Sequence, residues 1–207
     1  MDAPARTGPP HVPLRHGGWP VHRTPRWLLL AGVLVVAAAV LVGLAVHPSR
    51  AQRATDMNDF LRSMTTGIQS CAGGVRESLT VLRAIDTGTS HDRATAIRVA
   101  SYGAKNCSPA NNSQLADLTQ YQVHESLARF HLNRAVDGLV TWAFPYAQRV
   151  QNDVADVLRA RAPARADRAK LQRDLRDLDG QRAQVLAVIR PAVRATGATG
   201  KLPPLPG

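Results

Sequence analysis

The sequence predicts an all-α protein: a single N-terminal transmembrane helix followed by an antiparallel helical bundle of about four helices. Three observations carry that prediction. Residues 27–46 form an uncharged apolar run, WLLLAGVLVVAAAVLVGLAV. Downstream, apolar residues recur at spacings of three and four, the mark of amphipathic helices. No stretch shows the alternation that a half-buried strand requires.

Twenty apolar residues in helical form cover about 30 Å, the thickness of the bilayer's hydrocarbon. The apolar region of a cleaved signal peptide is normally shorter, and Gly43 and Ala45 make a weak cleavage site, so the run reads as a retained signal-anchor. After Val46 charge interrupts every apolar stretch, which makes the chain single-pass. Residues 1–26 are rich in Pro, Gly and His, with Arg6, Arg15, Arg23 and Arg26 against Asp2. Such a basic segment cannot bury a core and is expected to be disordered. Residues 47–195 are long enough for one compact bundle domain, and residues 196–207 read as a flexible Pro-rich tail.

Arginines flank the run on both sides, so the positive-inside rule favours a cytoplasmic N terminus only weakly. The cysteines decide. There are two, Cys71 and Cys107, both in the larger part, and an even pair suits an oxidising compartment if they meet. The expected location is therefore the cell membrane, with the N terminus cytoplasmic and the bundle extracytoplasmic.

Taken in order, the first bundle helix is marked by Met57, Leu61, Met64, Ile68, Cys71, Val75, Ser78, Leu82 and Ile85, a strict alternation of four and three with Leu79 available to replace Ser78. It should end near Asp86-Thr87-Gly88, and Thr89 or Ser90 can cap a second helix with Asp92 in its first turn. On that helix Ile97, Ala100, Ala104 and Cys107 repeat the spacing. A short connection makes the two antiparallel and brings Cys71 and Cys107 to within about one turn of the same height. A disulfide is predicted in preference to two buried thiols. Asn112 can cap a short helix carrying Leu115 and Leu118.

Next, Leu132, Val136, Leu139, Ala143, Tyr146, Val150, Val154 and Val157 keep one face apolar on a long helix that Pro145 should kink or split, with Ala162-Pro163 at its end. A last helix spans about residues 164–189, with Leu171, Leu175, Leu178, Val185 and Ile189 on one stripe, and Pro191 is expected to end it. Heptad-like seams of this kind can also pair with a protein partner or a second copy, as in a coiled coil.

The chemistry is read mainly by exclusion. His124 and His131 sit seven apart with Glu125 beside the first, but Ala128 stands where HExxH needs histidine. A di-iron bundle needs several inward Glu and two Glu-x-x-His motifs, and this part of the chain holds only Glu77 and Glu125. No GxSxG or SxxK motif marks a serine nucleophile. The reading is a non-enzyme without cofactor or bound metal. Trp142, Phe144 and Tyr146 cluster around Pro145, either as a small aromatic pocket or as core.

Charge is the remaining signal. The net is +11, and residues after Val46 hold 22 Lys and Arg against 14 Asp and Glu. The density peaks at Arg159, Arg161, Arg165, Arg168, Lys170, Arg173 and Arg176, a candidate patch for lipid headgroups or an anionic polymer. The alternative is a solvated face in which Asp174 and Asp177 pair with their helical neighbours. Few aromatics accompany the patch, so sequence-specific nucleic-acid binding is not expected. The preference for Arg over Lys, with much Ala and Val, suggests a GC-rich bacterial genome. The functional expectation is a membrane-anchored extracytoplasmic bundle with an interaction, sensory or envelope-associated role. The alternative is a tethered basic domain facing the cytosol and bound to anionic lipid or nucleic acid.

Overall fold

The computed structural model describes residues 31–38, 48–160 and 165–206. The chain divides into two units, one before His47 and one from His47 onward. In the first, residues 31–38 are helical. Among the described residues no helix is long and apolar enough to cross a membrane, and most of the apolar run at 27–46, like the basic segment at 1–26, lies outside them.

The second unit is all helical among its described residues. Six α-helices follow in order: α1 (Arg50–Asp86), α2 (Arg93–Asn106), α3 (Ser113–Thr119), α4 (Asn133–Thr141), α5 (Gln148–Arg159) and α6 (Arg165–Thr196). A 3-10 turn at Glu125–Phe130 joins α3 to α4. Ser49 starts α1, its hydroxyl accepting from the Gln52 amide at 3.0 Å. The predicted seam is buried along its whole length as far as Leu82, and Ser78 itself keeps its place in it, fully buried, while Leu79 is only half-buried. The cap of α2 is Asp92 and not Thr89 or Ser90: its carboxylate accepts from the Thr95 amide at 2.9 Å. Asn112 caps α3 as expected.

The long pattern after Leu132 is split at Pro145. Phe144 has extended backbone (φ −133°, ψ 116°), the Phe144–Pro145 bond is cis, and α4 and α5 are the two halves. Pro191, by contrast, does not end α6, which continues to Thr196. Ile189, Ala192 and Thr196 keep the buried stripe going past the proline, and Gly197, at φ +75°, supplies the left-handed residue that closes the helix. Burial beyond position 191 thus outweighs the amide hydrogen bond that proline cannot make.

Pairings across the helices show the topology. On α1 and α2, Cys71 meets Cys107 and Gly74 meets Gly103, so rising numbers on one helix face falling numbers on the other. The same holds for α2 and α5, where Gln148 reaches the Ala104 carbonyl and Arg159 reaches Ser101. It holds again for α4 and α5 against α6, through Gly138 with Val185 and Asp153 with Lys170. Asp86 with Arg168 closes the ring between α1 and α6. The result is an up-down-up-down bundle of four rods, the third broken at Pro145. Its core is one cluster in which Met57, Phe60, Met64, Trp142 and Leu178 are fully buried.

Residues 196–207, expected to be a flexible tail, include a strap. Asn58 Oδ1 accepts from the amides of Thr199 and Gly200 at 3.0 and 2.8 Å. Farther on, Arg76 and Arg182 donate to the carbonyls of Pro204 and Leu205, and the Leu205 side chain is buried. Hydrophobic contact and these side-chain hydrogen bonds to the backbone hold the segment to α1 and α6.

Candidate functional site

Three places in the bundle carry chemistry: the disulfide and its surroundings, the predicted basic patch, and a cleft under the strap.

Cys71 and Cys107 are bonded, with Cα atoms 4.7 Å apart and both side chains fully buried. The helices that carry them approach closely because both present glycine: a Cβ on Gly74 would stand 3.0 Å from the Gly103 Cα. Gln151 of α5 fills the notch this leaves. Its Nε2 donates to Cys107 Sγ at 2.8 Å, and its Oε1 lies 3.3 Å from the Ser78 oxygen, whose single hydroxyl proton it shares with the nearer Gly74 carbonyl at 2.7 Å. A buried amide is thereby satisfied, as burial demands. Nothing in the sequence singled out Gln151, because its apolar neighbours Val150 and Val154 set the helix stripe.

The patch is only partly free. Arg168 donates to both oxygens of Asp86 at 2.9 and 2.6 Å, and that guanidinium holds the Asp86 carboxyl below the usual carboxylate range. Arg159 pairs with Asp156 at 2.8 Å. Lys170 bridges Asp153 of α5 and Asp174 of its own helix, the second at 4.0 Å. Loss of water around Asp153, and the Asp174 carboxyl beside it, push the Asp153 carboxyl up to about 6 against the pull of Lys170. Arg165, Arg173 and Arg176 are exposed and have no acidic partner among the described residues. Arg161, with Ala162 and Pro163, lies outside the described residues. Local pairing by Asp174 was visible in the sequence. Neutralisation by Asp86 and Asp153 was not, since both come from other helices.

His124 and His131 do not share a helix face. They bracket the 3-10 turn: His124 caps its start, its Nδ1 accepting from the Ser126 amide at 3.3 Å with Asp56 close by, and His131 ends it in the left-handed region at φ 52°. The aromatic cluster also disperses. Trp142 is fully buried, Phe144 is 43% exposed, and Tyr146 lies under the Arg149 guanidinium at 4.7 Å.

The third place was missed by sequence reasoning. Between the strap, α1 and α6 lies an open cleft of about 560 Å³. Leu61, Leu186, Ile189, Val193, Leu202 and Leu205 make its walls apolar. Arg182, Arg190, Arg194 and Lys201 also line it, and no acidic residue among the described residues does. A signal was present: Leu202 and Leu205 stand three apart in a Pro-rich segment, hence on one edge of a polyproline II helix, and Arg190 and Arg194 are one turn apart on α6.

Comparison with protein-family models, with curated proteins and with solved structures finds no match for this chain.

Proposed function

We propose that this chain is a non-enzymatic, membrane-anchored, extracytoplasmic helical-bundle protein that works by binding a partner at the envelope. The apolar run is the anchor in this reading, with residues 1–26 in the cytoplasm. The observation that carries the reading is the bond between Cys71 and Cys107 in the bundle interior. Disulfides form and persist in oxidising compartments and are rare where thiols are kept reduced. Several buried polar groups hold the bundle itself together, while Trp142 Nε1 and Asp153 Oδ2 are buried without a partner among the described residues. Gln151 serves the disulfide, Asp153 serves α6 through Lys170, and the Thr196 hydroxyl returns to the Ala192 carbonyl.

The cytosol-facing alternative rests on Arg165, Arg173 and Arg176, and it loses weight because Asp86, Asp153 and Asp156 engage Arg168, Lys170 and Arg159. The test is thiol trapping. Cells are quenched in acid, and denatured protein is treated with a maleimide-bearing polymer with and without reductant. The reading expects a mass shift of two polymer units only after reduction. Two units added without reductant would overturn it in favour of the cytosolic alternative.

A further inference from the structure

The cleft under the C-terminal strap combines two properties that are not found together in the grooves beside Asp86 and Gly103. Its walls are apolar, and its charge is of one sign. The groove beside Asp86 sets Asp86 and Asp179 among its arginines, and the one beside Gly103 sets Glu77 against Arg98. In the strap cleft Arg182 is already engaged, donating to the Leu205 carbonyl at 3.1 Å and pairing with Asp179 at 3.2 Å. Arg190, Arg194 and Lys201 are exposed and have no acidic partner among the described residues.

We propose that this cleft binds an anionic single-chain amphiphile, a molecule with one acyl chain and a carboxylate or phosphate head. The chain would lie against Leu186, Val193 and Leu202, and the head would sit among Arg190, Arg194 and Lys201. Complementarity of charge argues for this occupant, because an uncharged apolar ligand leaves three cations unanswered and a free anion leaves the apolar walls wet. The volume is within the range of small-molecule sites. The inference deepens the envelope-binding reading by naming a ligand class, but the cleft would hold the same ligand on either side of a membrane.

The test uses the full chain in phosphatidylcholine nanodiscs, a diazirine-bearing palmitate, and the corresponding diazirine-bearing hexadecanol. After irradiation, labelled peptides are mapped by mass spectrometry. The proposal expects saturable labelling around residues 186–193 and 202–205 by the carboxylate probe, displaced by unmodified palmitate, with at least tenfold less labelling by the alcohol. The double variant R190E/R194E should lose labelling at least tenfold with an unchanged thermal melt, since both side chains are exposed. A second variant, Leu186→Trp, should block the probe by filling the cleft while keeping every charge. Equal labelling by the alcohol, labelling confined to residues 27–46, or displacement by a polyglutamate peptide and not by palmitate would overturn it. None of these results depends on membrane orientation, so failure here is separable from failure of the thiol-trapping test.

Discussion

Between α5 and α6 the Asp153 carboxyl has lost its water and faces Asp174 as well as Lys170, and burial is the larger influence on it. A carboxyl raised to about 6 in the folded state, against an unfolded value near 3.9, favours folding below about pH 4. That contribution is lost as pH rises through about 6. Asp86, held low by Arg168, has the opposite sign: its contribution is present above about pH 4 and is lost below it. Asp153→Asn should therefore lose the part of the parent's pH dependence that comes from this carboxyl, so that its stability relative to the parent rises from about pH 4 to pH 7.5. Urea titrations of both proteins at several pH values check it, and a relative stability that rises toward acid contradicts it. Glycine gives a second prediction at this scale. Gly103→Ala would drive a methyl into the Gln151 amide and the Gly74 backbone, at a cost of about 1 to 3 kcal/mol. Gly73→Ala meets nothing within 4 Å and should stabilise α1 by roughly 0.5 to 1 kcal/mol, measured by the same titration.

The helices themselves were legible because their seams are long and regular. The stripe from Met57 to Leu82 is buried as its spacing required, and the matching heights of Cys71 and Cys107 followed from two helices and a short turn. What the sequence misled on were the places where tertiary burial overrides a local rule. Pro191 is a helix breaker by its chemistry, yet Ala192 and Thr196 are buried beyond it. The Pro-rich tail has no helical or strand pattern, yet Leu205 is drawn into the core cluster. Two of the seven patch residues, Arg168 and Lys170, are answered by acids on other helices, which no spacing along α6 can reveal. Pro191→Ala should stabilise α6 by about 1 to 2 kcal/mol, because the restored amide bond outweighs the extra freedom of the unfolded chain. Leu205→Ala should cost roughly 2 kcal/mol by loosening the strap. A denaturation midpoint unchanged by Leu205→Ala would show that the strap contributes no stability.

For the whole molecule, the disulfide closes the α1–α2 hairpin across a sequence separation of 36. In the chain-entropy model such a loop stabilises the bundle by roughly 4 kcal/mol, a large part of what a domain of this size possesses. In the proposed reading the bundle works in a compartment where that bond persists, so the side of a membrane on which it sits is what most needs measuring. The most direct measurement is protease accessibility of a C-terminal tag in intact spheroplasts, with permeabilised cells as the control and fragment size recorded. The account predicts digestion of the tag in intact spheroplasts, from a protein that is full-length and membrane-bound before treatment. Protection until the cells are permeabilised would place the bundle in the cytosol and contradict the account.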